Sequence, residues 1–292
     1  MGSYHPESPA RLTAINDHLI AQGIDAYFSY FDAPLASFDQ LLRVHPASHL
    51  ERVKRASPAQ GIAHLDPDTA MCPHTWSAAL RSAGAGCMAV DLVMGHEVQN
   101  AFCAVRPPGH HAERANPMGF CFFNNIAVAA AHALEVHGLE RVAVIDFDVH
   151  HGNGTEDIFK GNDKVLMCSI FQHPFYPYSG ADNPAANMVN VPLPAGSGGE
   201  EFRGAIADVW LPRLNEFKPQ MIFISAGFDA HYEDDMGSMK LFEKDYAWAT
   251  EQLKVVAAKH AEKRIVSMLE GGYVLSALAR SVGAHLRVLA DL

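Results

Sequence analysis

The chain has 292 residues, of which 49% are hydrophobic and 19% are charged. A chain of this composition buries a large apolar core, and α/β folds often reach this length as one domain. The formal net charge of −11 disfavours binding to phosphate backbones and anionic lipid headgroups. We therefore exclude nucleic acid and membrane surfaces as the main partners.

The compartment is predicted from targeting signals and cysteines. No stretch approaches the ~20 consecutive apolar residues of a membrane span, and the opening MGSYHPES does not have the pattern of a signal peptide. The five cysteines include no Cys-x-x-Cys pair, which is typical of free thiols in a reducing compartment. We expect a cytoplasmic protein, and the sequence leaves a homo-oligomer open.

Short apolar runs alternate with helical patterns, which predicts an α/β fold with a parallel sheet flanked by helices. The predicted strands cover residues 101–105, 141–147, 165–170, 220–226 and 264–269. The predicted helices cover residues 74–94, 124–137, 199–217, 240–261 and 276–290. No linker divides the chain, so residues 1–292 are predicted to form one domain. The longest irregular stretch, residues 172–199, is expected to form a wall of a site.

Chemically capable side chains follow four of these strands. The segment RPPGHH follows the first strand, Asp148 and His150 follow the second, Asp229 follows the fourth and Tyr273 follows the fifth. Ligands of parallel sheets bind at the carboxyl ends of the strands. We therefore expect these side chains to meet in one site.

The stretch VIDFDVHHGNGT, residues 144–155, is the densest of these groups. If the chain stays extended, Asp146, Asp148 and His150 point to one face, whereas His151 points to the other and is predicted to be structural. A salt-bridged cluster that only anchors a turn is the alternative. Since the stretch has no Lys or Arg and buried charges are normally paired or bound to metal, we predict a metal ion.

Carboxylate oxygens and an imidazole nitrogen suit zinc, and a catalytic zinc usually has three protein ligands and an open position. Asp148 and His150 supply two ligands, and Asp229 is the best candidate for the third. Two carboxylates leave a bound water less acidic than three neutral histidines would, so a general base is needed. His110 and His111 can provide it, because imidazole titrates near neutral pH.

Five motifs occur in the order RPPGHHA, GFCFFNN, DFDVHHGNGT, SAGFDAH and EGGYVLSALA. In this order and at these separations they resemble the zinc-dependent deacetylases, the superfamily of histone deacetylases and acetylpolyamine amidohydrolases. The bacterial, class II-like branch is most similar. The resemblance covers nearly the whole chain and implies a three-layer, arginase/deacetylase-like α/β fold with a central, mostly parallel sheet.

The resemblance implies a role for each matching residue. Asp148, His150 and Asp229 match the zinc ligands, and His110 and His111 match the histidines that manage the proton of the attacking water and the leaving amine. Tyr273 matches the tyrosine that binds the substrate carbonyl, and Asp146 matches the carboxylate behind His110. The structural potassium ion of the family implies the donors Asp146, Asp148, His150, Ser169 and the carbonyl of Ile170.

The family's substrate channel matches Gly119, Phe120, Tyr176, Met236 and Gly271. By composition alone, Phe120, Cys121, Tyr176 and Met236 are more typical of ordinary core. Met236 falls where the polyamine-selective branch has an acidic residue, so an uncharged side chain favours acyl-lysine over acetylpolyamine. The neighbouring acidic run, residues 233–235, is interpreted as a solvated loop that could also attract cationic peptides.

Two positions depart from the family pattern. Asn153 lies behind His111, where class I members have aspartate; because an amide stabilises an imidazolium less than a carboxylate does, we hypothesise that His111 is mostly neutral and acts as the general base. Relatives have a strand before the loop that MGSYHPESPARL resembles. Either that strand is missing from this sequence or the sheet closes differently.

The preferred interpretation is a zinc-dependent hydrolase that removes acetyl or other acyl groups from lysine side chains. An amidohydrolase of acetylpolyamines or other small acylated amines is the alternative. A non-catalytic metal-binding interaction protein is the weakest of the three, because His110, His111 and Tyr273 are all present.

Overall fold

The computed structural model describes Gly2 and residues 4–292. Its strands are β1 (Ala63–His64), β2 (Ala70–Met71), β3 (Asn100–Cys103), β4 (Val142–Asp146), β5 (Val165–Gln172), β6 (Met188–Leu193), β7 (Met221–Ala226) and β8 (Ile265–Leu269). β1 and β2 form a short antiparallel pair. The other strands form a six-stranded parallel sheet in the order β3-β8-β7-β4-β5-β6.

Helices cover both faces of this sheet. They are α1 (Ala10–Ala21), α2 (Phe38–Leu42), α3 (Ala47–Ala56), α4 (Thr75–Met94), α5 (Asn125–Glu135), α6 (Asn153–Phe159), α7 (Gly199–Ala205), α8 (Leu211–Phe217), α9 (Glu243–His260) and α10 (Leu275–Leu289). The helices α4 and α5 share one core with alternate strand residues such as Val144. The helices α1, α9 and α10 share the other core with Ile145. The three-layer α/β architecture that the sequence predicts is confirmed.

All five predicted strands and all five predicted helices are present with shifted ends. The helix predicted over residues 199–217 is interrupted by a π-helical turn, Ile206–Trp210. The helix predicted from residue 240 begins at Glu243 instead, because Lys240 and Leu241 form β-bridges with Gly198 and His231. The helices α1, α2, α3 and α6 were not predicted.

Two expectations about local backbone conformation are wrong. Residues 172–199 contain β6, which pairs in parallel with β5 and is an edge strand. An edge position tolerates Pro192, which has no N–H to donate, and this proline obscured the strand in the sequence. The extended conformation also does not persist to His150, because β4 ends at Asp146 and the chain bends over residues 148–150.

His285 connects α10 to the rest of the fold. Its Nδ1 lies 2.7 Å from Thr250 Oγ1 of α9, and its Nε2 lies 2.9 Å from Ser267 Oγ of β8. The hydroxyl of Thr250 already donates to the Tyr246 carbonyl, so it accepts the Nδ1 proton and Nε2 accepts from Ser267. Burial lowers the pKa of His285 to about 3, and the ring is therefore neutral in the folded protein.

The buried neutral His285 predicts a loss of stability in mild acid. Below pH ~6.5 His285 is protonated in the unfolded chain but stays neutral in the folded protein. The free energy of unfolding therefore falls by about 1.4 kcal/mol per pH unit towards pH 3. Between pH 6.5 and pH 5, we expect the free energy of unfolding of His285→Gln to fall by ~2 kcal/mol less than that of the wild type. Urea unfolding at each pH measures this, with the exposed His64→Gln as control. Equal pH slopes for all three proteins would contradict the prediction.

Candidate active site

The side chains singled out in the sequence lie at the carboxyl ends of four neighbouring strands: His110 and His111 after β3, Asp148 and His150 after β4, Asp229 after β7, and Tyr273 after β8. His110 Nε2 lies 3.7 Å from Asp148 Oδ2. The rings of His111 and His150 are 5.8 Å apart between centroids. The order of strands in the sheet therefore brings these distant motifs together.

Asp148, His150 and Asp229 form a buried cluster in which one ligand atom of each lies within 4.8 Å of the others. His150 Nδ1 is 3.0 Å from Asp148 Oδ1 and 3.3 Å from Asp229 Oδ2. Backbone N–H groups hold the carboxylates from the other side, with Gly271 N donating to Asp148 Oδ2 and Val149 N donating to Asp229 Oδ1, both at 2.9 Å. These bonds fix the orientation of the three potential ligands.

The charges of this cluster fit a bound cation. Among the residues that the structure describes, Asp229 Oδ2 is buried and accepts no well-aligned hydrogen bond, because the nearby His150 Nδ1 is bonded to Asp148 Oδ1 instead. Burial and the charge of Asp148 raise the pKa of Asp229 to about 6, which is the signature of carboxylates crowded in a low dielectric. Two oxygens and one nitrogen facing a common point form a donor set that a divalent metal ion accepts.

Asp91, His132 and His137 form a second group with metal-ligand spacing, and we interpret it as structural. Arg43 Nη1 donates to His132 Nδ1 at 3.0 Å, so the ring proton lies on His132 Nε2 and points to Asp91 Oδ1 at 2.8 Å. A protonated nitrogen has no lone pair for a metal. His137 Nε2 approaches the same oxygen at 2.7 Å, and the group links α4 to the end of α5.

The two tandem histidines have different partners. His110 Nδ1 lies 3.0 Å from Asp146 Oδ2. Burial disfavours a charged His110, but the carboxylates of Asp148 and Asp146 outweigh burial and raise its pKa well above the usual value. Burial and the neighbouring rings of His110 and His150 lower the pKa of His111 well below the usual value. One histidine therefore favours the charged form and the other the neutral form.

The tautomer of His111 follows from its hydrogen bonds. Asn153 Nδ2 donates to Glu113 Oε1 at 2.9 Å, so it is Asn153 Oδ1 that faces His111 Nδ1 at 2.8 Å. His111 Nδ1 must then carry the proton, which leaves a lone pair on Nε2. Glu113 was not identified in the sequence, because nothing local marks it as the partner of Asn153.

Arg11 supports the turn that carries Tyr273. Its guanidinium lies 5.0 Å from the centroid of the Tyr273 ring, and it donates to the carbonyls of Gly272 at 2.7 Å and Glu270 at 2.5 Å. Glu7 pairs with Arg11 at 3.4 Å. Burial raises the pKa of Tyr273 well above its usual value, so the hydroxyl stays protonated and can donate.

Glu270 is a further buried acid that sequence reasoning missed. Its Oε2 accepts from Gly109 N at 2.6 Å and His110 N at 3.1 Å, and its Oε1 accepts from Ser225 Oγ at 3.2 Å. Burial raises the pKa of Glu270 to about 7. Glu270 and Arg11 both lie inside motifs that the sequence highlights, but only their long-range contacts show what they hold.

Aromatic side chains surround the approach to the cluster. The Phe120 ring lies between His5, 4.6 Å away, and Tyr273, 5.9 Å away. Tyr176 contacts His111 edge-on at 5.3 Å, and Phe175 stacks on His150 at 5.4 Å. The loop at the start of the chain therefore reaches the predicted channel wall.

Other predicted channel residues have additional contacts. Gly271 lies against the potential metal ligands, since its N–H donates to Asp148. Met236 is half-buried, and its N–H donates to Asp234 Oδ1 at 3.0 Å. The interpretation of residues 233–235 as a solvated loop is wrong for Asp234, which is 5% exposed, because its carboxylate binds backbone N–H groups.

Cys121 and His151 have structural surroundings. Cys121 is fully buried, and its thiol donates to the carbonyl of Gly119 at 3.2 Å. His151 Nδ1 lies 3.2 Å from Ser169 Oγ, and its Nε2 lies 2.8 Å from Glu156 Oε2. His151 is therefore occupied on both ring nitrogens. All five cysteines are free.

Buried acids, paired histidines and a tyrosine around a potential metal site define a hydrolytic centre on an α/β sheet. The histone deacetylase domain model matches residues 5–289. A histone deacetylase-like amidohydrolase of Pseudomonas aeruginosa is 41% identical over 276 residues, which are 92% of this chain and 72% of that protein. The crystal structure of the HDA15 HD domain matches with a TM-score of 0.93 and 33% identity, over 100% of this chain and 87% of that one.

The chain belongs to the histone deacetylase family. It is therefore a hydrolase of the deacetylase and amidohydrolase type. The human polyamine deacetylase HDAC10 is also similar, with 37% identity over 94% of this chain and 43% of that protein. No helix in the described part of the chain is long and apolar enough to cross a membrane.

A substitution of Gly119 tests the packing around His111. Its φ is +57°, and an added Cβ would lie 2.7 Å from His111 Cγ. We expect Gly119→Ala to displace the His111 ring and to lower kcat for an acetylated amide by ~100-fold or more, since small misplacements of catalytic groups are costly. Steady-state kinetics with thermal unfolding alongside measure both effects.

Gly138→Ala is the matched control. Gly138 also has a positive φ, +66°, but nothing lies within 4 Å of an added Cβ. It therefore carries the backbone strain of ~1 kcal/mol without the clash. If both variants retained wild-type kcat, Gly119 would not be needed for the placement of His111.

Proposed function

We propose that the protein is a zinc-dependent lysine deacylase that hydrolyses the amide of an acyl-lysine side chain to a carboxylate and a free amine. The observation that carries the proposal is the convergence of Asp148, His150 and Asp229 beside two histidines with different supports, a carboxylate behind His110 and an amide behind His111. Membership of the deacetylase family supports the reaction class.

The donor set of two carboxylates and one imidazole is a type that catalytic zinc accepts. Zinc held there would supply a Lewis acid that acidifies a water molecule and polarises the acyl carbonyl. We further propose a potassium ion beneath the site, held by Asp146, Asp148, His150, Ser169 and the Ile170 carbonyl. In support, Asp146 and Ser169 are adjacent in the register of β4 and β5.

His111 is proposed as the general base. Its Nδ1 proton is bound by Asn153, so Nε2 has the lone pair that can accept a proton from the attacking water. His110, paired with Asp146, favours the charged form and is suited to deliver a proton to the leaving amine nitrogen as the C–N bond breaks. The two histidines thus divide the proton transfers between them.

Tyr273 is proposed to stabilise the carbonyl oxygen. Its hydroxyl stays protonated and donates a hydrogen bond that strengthens as negative charge develops on that oxygen. Arg11 and Phe120 restrict the tyrosine ring from two sides. This preorganisation is what a donor to an oxyanion requires.

We propose acyl-lysine as the substrate class and a small acylated amine as the second candidate. Met236 is uncharged and half-buried near the site, and an uncharged wall offers no attraction for the second ammonium group of a polyamine. The second candidate is favoured by the similarity to human polyamine deacetylase HDAC10. A cytoplasmic location is proposed from the five free cysteines.

A substrate panel tests the proposal. Zinc-loaded protein is assayed with acetyl-lysine and longer acyl-lysine peptides, acetylspermidine and acetylputrescine, with metal content determined alongside. We expect acyl-lysine peptides to give the highest kcat/KM. Tyr273→Phe should lose ~100-fold or more of kcat, because it removes an oxyanion donor, and should keep its zinc. If the zinc-loaded protein hydrolysed none of these amides, the proposal would be refuted. A preference for acetylpolyamines would favour the second candidate.

The proposed role of His111 predicts a pH shift. Asn153→Asp places a carboxylate at His111 Nδ1 and raises the pKa of His111, so the limb of the pH–rate profile on which His111 loses its proton moves to higher pH. The exposed Asn183→Asp adds the same charge at the surface, without the contact to His111 that Asn153 makes, and should leave the profile in place. An unmoved acidic limb in Asn153→Asp would remove the basis for His111 as the general base.

A further inference from the structure

Asp234 binds the backbone of Tyr273, a candidate catalytic residue, and of Met236, a predicted channel residue. Its Oδ2 accepts from Tyr273 N at 2.6 Å and Val274 N at 3.2 Å, and its Oδ1 accepts from Met236 N at 3.0 Å. We propose that Asp234 is a positioning residue that places the Tyr273 hydroxyl and holds Met236 in a fixed relation to it. The inference rests on the proposed function, since Asp234 acts on the reaction through Tyr273.

The backbone of Tyr273 needs an acceptor from elsewhere in the chain. Tyr273 lies two residues before Leu275, where α10 begins. Tyr273 and the N-cap residue Val274 precede the first helical residue, so their N–H groups have no carbonyl partner within α10. Asp234 supplies this acceptor from the loop after β7, and its negative charge is favoured at a helix N-terminus. The start of α10 is therefore anchored on Asp234.

The other contacts of Tyr273 do not bind its backbone N–H, which Asp234 accepts from. Arg11 and Phe120 contact the tyrosine ring, which restricts its tilt. Arg11 also binds the carbonyls of Gly272 and Glu270, which precede Tyr273 in the chain. Asp234 holds the same turn through the N–H groups of Tyr273 and Val274. Together they determine how far the phenol extends into the site.

Both carboxylate oxygens of Asp234 are required, because three N–H groups point at them. Asp234 is 5% exposed, so water cannot easily replace a lost acceptor, and an unpaired buried N–H is costly. Asparagine has nearly the same size but only one acceptor oxygen. Its amide group would face either Met236 N or the Tyr273 turn, donor against donor.

Glu233 provides a matched comparison in the same loop. It pairs with Arg280 of α10 at 2.5 Å, and its side chain is 41% exposed. Arg280 also pairs with Glu243 at 2.5 Å, so Glu233→Gln leaves it a partner. Glu233 therefore links the same loop to the same helix without an observed bond to Tyr273 or Met236.

The first experiment is a double-mutant cycle between Asp234→Asn and Tyr273→Phe, with Glu233→Gln as control, assayed on an acetyl-lysine peptide. We expect Asp234→Asn to lower kcat about 10-fold to 100-fold, and Glu233→Gln to stay within about twofold of wild type. In the Tyr273→Phe background, Asp234→Asn should lower kcat by no more than about twofold, because the hydroxyl that it positions is absent. An equal loss in both backgrounds, or wild-type kcat in Asp234→Asn, would overturn the proposal.

The second experiment does not depend on turnover. Hydrogen exchange of the Tyr273 and Val274 amides should be at least about 10-fold faster in Asp234→Asn than in Glu233→Gln, because only the former loses their acceptor. Equal exchange rates would overturn the anchoring role. If wild-type protein hydrolysed none of the amides, the proposed function would fail, and the exchange rates would still decide whether Asp234 positions Tyr273.

Discussion

Four buried carboxylates at one edge of the sheet are the constraint on which the site depends: Asp146, Asp148, Asp229 and Glu270 are each at most 1% exposed. Such charges are tolerated only when hydrogen bonds, a counter-charge or a metal ion compensates them. Backbone N–H groups and imidazoles satisfy most of their oxygens. The exception in the described structure is Asp229 Oδ2. The proposed divalent cation at this point would resolve the remaining imbalance of charge.

Backbone N–H groups must approach these carboxylates closely, and this requirement explains the glycine at position 271. The N–H of Gly271 donates to Asp148, and a Cβ at Gly271 would collide with Asp229. A side chain at this position would therefore separate the turn from the acids that it solvates. The next ring of contacts is charged as well, with Arg11 on one side of the Tyr273 turn and Asp234 on the other. The tyrosine is thus held by the same electrostatic network that holds the acids.

The sequence predicts the sheet and the innermost residues of the site, because both are encoded locally. Apolar runs mark strands, and polar residues at their ends mark the ligand-binding edge. It does not predict residues whose partners are distant in the chain, such as Arg11, which binds a carbonyl 261 residues away. For the same reason the sequence predicts Asp234 to be solvated although it is buried. An acidic run does not show which of its carboxylates is buried. β6 was missed because Pro192 is permissible only at an edge, and edge position is a property of the assembled sheet.

The opposite proton preferences of the two histidines depend on the charged groups that each ring faces. Both rings are buried, and their centroids are 4.0 Å apart, so charge on one disfavours charge on the other. Asp146 gives His110 a carboxylate, whereas Asn153 gives His111 only an amide. A carboxylate behind both rings would favour the charged form of both imidazoles and would reduce the difference between them. The neutral amide breaks this symmetry, and because Glu113 fixes the orientation of Asn153, it also decides that the free lone pair of His111 lies on Nε2.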